Sequence, residues 1–139
     1  GLLAAIVALR NVDATVYACD RSAAAVASTA ATLEVNGLAG RVVVTRDNAG
    51  DSLLDDGNIA GQVDLIVCNP PFHDRASVTT DAAHRMFTNA GRLLRPGGNL
   101  WCVYNSMLRY RPALERAVGP TVQISRSPKF TVTRSVKTR

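Results

Sequence analysis

The stretch Val63-Asp64-Leu65-Ile66-Val67-Cys68-Asn69-Pro70-Pro71-Phe72-His73 decides the fold of this chain. Its first six residues are mostly apolar and rich in β-branched side chains, which predicts a buried strand. The strand must stop at Asn69, because Pro70 and Pro71 can neither donate ladder hydrogen bonds nor continue a helix. The sequence therefore predicts a stiff loop, polar and then aromatic, at the carboxyl end of a strand.

Strand and helix patterns alternate on both sides of this stretch, which predicts a doubly wound, mostly parallel α/β sheet. A closing hairpin is predicted by two alternating segments around a Ser-Pro-Lys turn. We expect strands at 14–20, 41–46, 63–68 and 99–104, hairpin strands at 121–125 and 130–136, and helices at 1–10, 22–35 and 110–118. A further helix is predicted from Thr80-Asp81 to Pro96-Gly97-Gly98, and 73–77 is predicted to be a substrate loop.

The loop after the organising strand has the chemistry to hold an aromatic amine. Ligands of open α/β sheets bind outside the carboxyl ends of the strands. The Asn69 amide oxygen and the Pro70 carbonyl can each accept one N–H, and Phe72 can stack on a ring. We interpret these residues as a nucleobase site. The alternative is a stiff turn in which Phe72 only fills the core.

The residues Asn69-Pro70-Pro71-Phe72 resemble the motif of class I S-adenosylmethionine-dependent methyltransferases that act on exocyclic amines. Together with His73, they most resemble ribosomal RNA guanine-N2 methyltransferases of the "methyltransferase small domain" type. The resemblance implies a Rossmann-like fold, S-adenosyl-L-methionine as cofactor, and Asn69, Pro70 and Phe72 as catalytic residues. It also implies that Asn69 lies beside the cofactor and that Pro71 and His73 contact the substrate.

Asp20 is the candidate for binding the cofactor ribose. It ends a predicted strand nineteen positions after Gly1, and an acid about 20 residues beyond a glycine-rich turn binds ribose hydroxyls in related folds. We therefore expect Gly1 to be the last glycine of the cofactor turn, and 1–139 to be a single, N-terminally truncated domain without its first strand. Asp20 could instead cap the next helix, although Ser22 can do this.

By the same resemblance, Asp47 contacts the adenine of the cofactor. It follows the strand predicted at 41–46, at its carboxyl end, which is the third strand of the resembled fold when the absent first strand is counted. Asp47-Asn48 is also a common turn sequence, so the pattern alone leaves a structural role open.

The basic residues are concentrated at the C-terminal end. Residues 1–100 contain eight Lys/Arg against ten Asp/Glu, whereas residues 101–139 contain eight Lys/Arg and Glu115 as the single acid. Such a segment in a nucleobase enzyme favours contact with phosphates. We expect Arg126 and Lys129, together with Arg134, to contact RNA, and the partner to be ribosomal RNA or a ribosomal subunit.

Nothing in the sequence predicts a membrane span, a signal peptide or a metal site. The three cysteines Cys19, Cys68 and Cys102 are odd in number and lack metal-ligand spacing. Each lies in an apolar, strand-like stretch. We expect reduced core residues of a cytoplasmic protein without a metal.

Two alternatives remain open beside a guanine-N2 methyltransferase. One is methylation of adenine N6 in nucleic acid or of a glutamine amide in a protein, since both resembled families use Asn-Pro-Pro followed by an aromatic residue. Phe rather than Tyr at position 72 and the basic C-terminal segment favour nucleic acid. The other is a non-catalytic domain that keeps the fold and binds RNA.

Overall fold

The computed structural model describes residues 2–70 and 76–138, with the backbone alone for 76–80. The chain forms two compact units, Gly1–Ala49 and Gly50–Arg139. Unit 1 contains α1 (Leu2–Arg10), β1 (Val16–Asp20), α2 (Ala23–Val35) and β2 (Val42–Arg46). Unit 2 contains α3 (Asp51–Leu54), β3 (Val63–Cys68), α4 (Ala76–Leu93), β4 (Leu94–Asn105), α5 (Arg111–Ala117), β5 (Thr121–Arg126) and β6 (Phe130–Val136).

Unit 1 is a β1–β2 parallel pair with helices packed on it. The register runs from Val16 opposite Val42 to Asp20 opposite Arg46. Helix α1 packs against β1, and α2 packs against both strands. The core of the unit is formed by Ala5, Ala8, Val16, Leu33, Leu38 and Val42.

Both ends of α2 and the C-terminal end of α1 have hydrogen-bond partners. The Ser22 hydroxyl accepts a hydrogen bond from the Ala25 backbone N–H and caps α2, as the sequence predicts. At the end of α2, Gly37 adopts a positive φ of 69°, where glycine is favoured. The Arg41 guanidinium donates to the carbonyls of Ala8 and Asn11, both at 3.0 Å, and so satisfies the C-terminal end of α1.

Unit 2 is a four-stranded mixed sheet with the strand order β3-β4-β6-β5. β3 and β4 are parallel, and β6 is antiparallel to both β4 and β5. The predicted α/β fold and the closing hairpin are confirmed. β6 lies between β4 and β5, so that the last strand in sequence is not the last in the sheet. The largest fully buried side chains of this unit include Phe87, Leu94, Leu100 and Leu114.

The predicted start of α4 is wrong by four residues. We expected a loop over 73–77 and a cap at Thr80-Asp81, but α4 already begins at Ala76. The β-branched residues of 78–80 have low helix propensity, so the local pattern gave no helix signal. The rest of α4 is held in the core by Ala83, Phe87 and Ala90. Adding one turn to a helix that is already formed needs no new nucleation, so α4 can begin at Ala76 despite the low propensity of 78–80.

The Pro96-Gly97-Gly98 turn is also placed differently from the prediction. It lies inside β4, which begins at Leu94 immediately after α4, rather than before the strand. Leu94 is opposite Val63 and Asn99 is opposite Leu65, so the intervening residues bulge out of the ladder. A Cβ at position 98 would lie 2.9 Å from the Val63 carbonyl oxygen, which explains the glycine there.

Helices α4 and α5 pack with their backbones in contact at Gly91. A Cβ at this position would lie 2.0 Å from the Ala117 carbonyl oxygen. No real side chain tolerates this distance, so any larger residue must push the two helices apart. Gly91 thus determines the spacing of the helix layer on this side of the sheet.

We expect Gly91→Ala to lower the free energy of unfolding by about 3 kcal/mol, because the added methyl group overpacks backbone against backbone. Chemical denaturation measures the change. Gly57→Ala is the matched control, since its Cβ would meet no atom within 4 Å. Equal stability of the two variants would contradict the close helix approach.

Candidate active site

The carboxyl ends of β1 and β2 bring Asp20 and Asp47 together within unit 1. The Asp47 backbone N–H donates to the Asp20 carbonyl at 2.8 Å, which joins the tips of the two strands. Asp20 is exposed and Asp47 is half-buried. The two acids predicted to bind ribose and adenine therefore share one strand edge.

The role of Asp20 at the start of α2 is limited to one oxygen atom. Its Oδ1 accepts the Ser22 backbone N–H at 2.9 Å, while the Ser22 hydroxyl is the cap of the helix. Among the described residues, no donor contacts its Oδ2. A carboxylate held by one oxygen and exposed at the other is suited to accept hydrogen bonds from a diol.

The chain leaves the tip of β2 through a strained turn. Ala49 has a φ of 57° and is the one non-glycine residue with positive φ in the described parts of the chain. Gly50 follows with a φ of 80°. Backbone in this region is uncommon for a residue with a Cβ and is often found at ligand sites. The turn directly follows the predicted adenine contact.

Asn69 and Pro70 lie at the carboxyl edge of the sheet in unit 2. Pairing of β3 with β4 ends at Cys68 opposite Cys102, and Asn69 is the next residue. Asn69 is exposed and Pro70 is buried. The described residues supply no hydrogen-bond partner for the Asn69 amide. Because each residue precedes a proline, both are restricted to extended backbone.

The hairpin tip lies at the same edge of this sheet. β6 begins at Phe130 opposite Asn105, the last residue of β4, so the turn between β5 and β6 follows the β4 carboxyl end. The Ser106 backbone N–H donates to the Lys129 carbonyl at 2.9 Å, and its hydroxyl to the Ser127 carbonyl at 2.7 Å. The edge thus carries Asn69 together with the hairpin tip.

Two basic residues predicted to contact RNA are exposed at this tip. Arg126 ends β5, and Lys129 stands in the turn with its Nζ 5.3 Å from the centre of the Phe130 ring. Phe130 is 48% exposed, and we did not identify it from the sequence. An exposed aromatic beside a cation is typical of nucleic-acid surfaces. The sequence signal that could have identified Phe130 is its position directly after Lys129 in the turn.

Four predicted site residues are outside the described residues: Gly1, Pro71, Phe72 and His73. Their assigned roles stay predictions. Within the described ranges, Asp20 with Asp47 and Asn69 with Pro70 each share a strand edge. Arg134 is half-buried in β6 rather than exposed, and the described residues give its Nε no hydrogen-bond partner.

The three cysteines fall into two environments. Cys68 and Cys102 are buried register partners, as predicted for core residues. Hydrogen bonding to Cys68 and burial raise the pKa of Cys102, so this thiol stays protonated and unreactive. The prediction that Cys19 is a core residue is wrong, because Cys19 is exposed next to the carboxyl end of β1.

An unpredicted polar cluster anchors the residue that follows the strained turn. Asp51, the first residue of α3, is paired with Arg85 and accepts a hydrogen bond from the Asn89 amide at 2.7 Å. Asn89 is buried in α4. These hydrogen bonds, chiefly that from Arg85, lower the pKa of Asp51. Residues 34 and 38 positions apart have no local sequence pattern that could reveal this contact.

Residues 1–134 match the family described as the methyltransferase small domain. The chain belongs to this family. The match extends over both units and includes every predicted site residue. The parallel strands and the closing hairpin are thus parts of a methyltransferase small domain.

Named relatives of this methyltransferase small domain are ribosomal RNA methyltransferases. Ribosomal RNA large subunit methyltransferase G of Streptomyces coelicolor is 41% identical over 137 residues, which are 99% of this chain and 35% of the relative. Ribosomal RNA small subunit methyltransferase C of Salmonella choleraesuis is 36% identical over 139 residues, 100% of this chain and 38% of the relative. The chain spans about a third of the length of these curated relatives.

Solved structures have the same fold. The 16S rRNA N2 methyltransferase RsmC of Thermus thermophilus, in complex with AdoMet and guanosine, has a TM-score of 0.77 and 31% identity. That comparison covers 89% of this chain and 32% of RsmC. A putative O-methyltransferase of Nostoc punctiforme has a TM-score of 0.74 at 14% identity, over 99% of this chain and 48% of its own, which shows the fold alone.

Searches of the described residues found neither a membrane span nor a metal cluster. No helix in residues 2–70 and 76–138 is both long and apolar enough to cross a bilayer. Within the same ranges, no three His, Cys, Asp or Glu side chains group as metal ligands.

The stability of the protein should respond to acid through Asp51. A lowered pKa means that the stabilising contribution is present above the ordinary carboxyl pKa of about 4 and is lost as the pH falls through the lower value. We expect Asp51→Asn to be less stable than the parent protein at pH 7, and the difference to shrink below about pH 4.

Denaturant unfolding as a function of pH measures this effect. Asp55→Asn is the control, because Asp55 is exposed in the same segment and outside the cluster. A difference between Asp51→Asn and the parent that is independent of pH would exclude the carboxylate as its origin.

Proposed function

We propose that this chain is the methyl-transferring part of an S-adenosylmethionine-dependent ribosomal RNA guanine-N2 methyltransferase. The observation that carries the proposal is the Asn69-Pro70 pair at a strand edge, with an exposed amide that the described residues leave without a partner. The names of the relatives support ribosomal RNA as substrate, and the guanosine in the RsmC complex supports guanine.

The acceptor pair suits an exocyclic amine. The lone pair of a guanine amine is delocalised into the ring, which makes it a weak nucleophile. When the Asn69 amide oxygen and the Pro70 carbonyl each accept one N–H, the lone pair localises on nitrogen. These acceptors stabilise the positive charge that develops at nitrogen, and they do so more in the transition state than in the ground state.

The rigid backbone contributes the remaining acceleration. Both acceptors are on residues restricted by a following proline, so their spacing is set before the base arrives. Phe72 is proposed to stack on the ring, and Pro71 and His73 to line the pocket. Fixed placement of this kind holds the base in the reacting geometry, which lowers the entropic part of the activation barrier. No strong base is needed, because the amine loses its proton readily once methylated.

The acids of unit 1 fit S-adenosylmethionine. The open oxygen of Asp20 can accept the ribose hydroxyls, and Asp47, at the adjoining strand tip, can accept the adenine amine. Gly1 is proposed to belong to the turn that approaches the cofactor. The cofactor, when bound, supplies an electrophilic methyl group on a sulfonium.

The hairpin tip is proposed to contact RNA beside the methylated nucleotide. Strands are about 4.8 Å apart, so β6 lies about 10 Å from β3 along the sheet edge. Arg126 and Lys129 therefore lie to one side of Asn69, where they can reach phosphates of neighbouring nucleotides. The half-exposed Phe130 provides a surface on which a flanking base can stack.

Asn69→Ala should lower kcat about 100-fold or more, because it removes an acceptor that acts mainly in the transition state. Cofactor affinity, measured by calorimetry on the full-length protein, should remain within about twofold. Mass spectrometry of nucleosides from ribosomal RNA incubated with labelled cofactor identifies the product. Asn58→Ala, in an exposed loop, is the control.

Three outcomes of this experiment would count against the proposal. Unchanged turnover of Asn69→Ala would remove Asn69 from the reaction. N6-methyladenosine as product would assign the site to adenine, and transfer to no RNA at all would leave an RNA-binding domain.

Asp20→Ala should weaken cofactor binding by about 10- to 100-fold, the value of hydrogen bonds to a charged group. Ser22→Ala is the matched control, because it removes the cap of the same helix. It should cost about 1 kcal/mol of stability and leave cofactor affinity unchanged. Equal affinity of Asp20→Ala and the parent would restrict Asp20 to its contact with the Ser22 N–H.

A further inference from the structure

A pocket between α4 and α5 has no part in the proposed methyl transfer. Its volume is about 450 Å³, and Arg92, Arg116 and Lys137 line it together with Thr88 and His84. This size is within the range of pockets that bind small molecules or nucleotides. All of these residues belong to unit 2, so their arrangement follows from the fold of that unit alone.

The pocket lies at the opposite edge of the sheet from Asn69. The Lys137 backbone N–H donates to the Gly98 carbonyl at 2.9 Å, at the amino end of the paired part of β4. Asn69 follows Cys68, which is opposite Cys102 in β4. A strand rises about 3.3 Å per residue, so the two places are about 15 Å apart along the strand. A base held at Asn69 cannot also occupy this pocket.

The charge of the pocket is positive and unbalanced. Among the described residues, none of those that line it is acidic. In the described ranges, the ion pairs involve Arg85, Arg95 and Arg111, and none involves the three cations of the pocket. Like charges brought together in one concavity repel each other unless an anion is bound. The pocket is therefore suited to a negatively charged ligand.

The shape of the pocket is set by the close packing of α4 and α5, which Gly91 keeps in backbone contact. The Phe87 ring is 1% exposed and packs edge-on against Tyr110, with the ring centres 5.2 Å apart, so a base cannot stack on it. His84 provides an exposed ring among the lining residues. Three cations line the same pocket, so charge is the main basis for recognition, and phosphate groups supply the opposite charge.

We propose that this pocket binds backbone phosphates of the RNA substrate, away from the nucleotide that is methylated. This inference rests on the proposed function, because that function supplies the RNA. A polymer fits better than a small phosphorylated molecule, since exposed cations stand at both edges of the same sheet. At about 3.4 Å per stacked nucleotide, 15 Å corresponds to roughly four nucleotides. A single RNA segment can therefore reach both Asn69 and the pocket.

The test compares two double variants of the full-length protein. Arg92→Gln with Arg116→Gln removes two cations from the pocket. Arg10→Gln with Arg21→Gln removes the same charge from exposed positions that neither line the pocket nor belong to the basic C-terminal segment. Fluorescence anisotropy with a labelled ribosomal RNA fragment is measured over a series of salt concentrations, and calorimetry gives the affinity for S-adenosylmethionine.

The pocket variant should bind RNA about tenfold more weakly. Its slope of log affinity against log salt should be smaller by about 1.4, since each phosphate contact on a single strand contributes about 0.7. Cofactor affinity and the unfolding midpoint should match those of the parent. The control variant should keep both the affinity and the slope close to the parent values.

Three results would overturn the inference. The first is a pocket variant whose RNA affinity and salt slope match those of the parent, and the second is an equal loss in both double variants. The third is saturable binding of inorganic phosphate by the parent, lost in the pocket variant while its RNA affinity stays unchanged. The last result would identify a small phosphate ligand instead of RNA. Failure of the proposed function is separate, because it would appear as the absence of N2-methylguanosine in RNA treated with the parent protein.

Discussion

The parallel pairing of β3 with β4 is the constraint on which unit 2 depends. The pairing buries Cys68 against Cys102 and ends there. Asn69 follows, and Pro70 has no N–H with which to continue the ladder. Asn69 is therefore delivered to the sheet edge with its amide exposed. The same pairing fixes β4, to which β6 pairs on its other side. The hairpin tip and Asn69 thus share an edge as a result of backbone hydrogen bonding.

The sheet of unit 2 also separates two kinds of chemistry. At its carboxyl edge are an amide, a carbonyl and an exposed aromatic ring, groups that recognise a base. At its amino edge, cations surround a concavity formed by two closely packed helices, which suits phosphates. An enzyme that selects one nucleotide in a long RNA needs both, because backbone contacts position the strand and base contacts provide selectivity.

Local patterns predicted most elements of the fold. The apolar run at 63–68, the proline stop, the Ser22 cap and the two alternating segments of the hairpin each have a short-range cause. The prediction failed at the start of α4 and at Pro96-Gly97-Gly98, where propensity and turn chemistry favoured other boundaries. In both places, packing and strand register outweighed the local preference. Cys19 was misassigned because an apolar stretch need not be buried.

From residue type and spacing, the sequence predicts the chemical groups of the chain: an amide followed by two prolines at Asn69-Pro70-Pro71, an acid at the end of β1 and a basic C-terminal segment. Only the tertiary structure decided which distant residues meet, among them Asp51 with Asn89 and Arg92 with Arg116 and Lys137. The physical reason is that such contacts depend on the order of the strands in the sheet and on how closely the helices pack. Neither property produces a periodic pattern in the sequence.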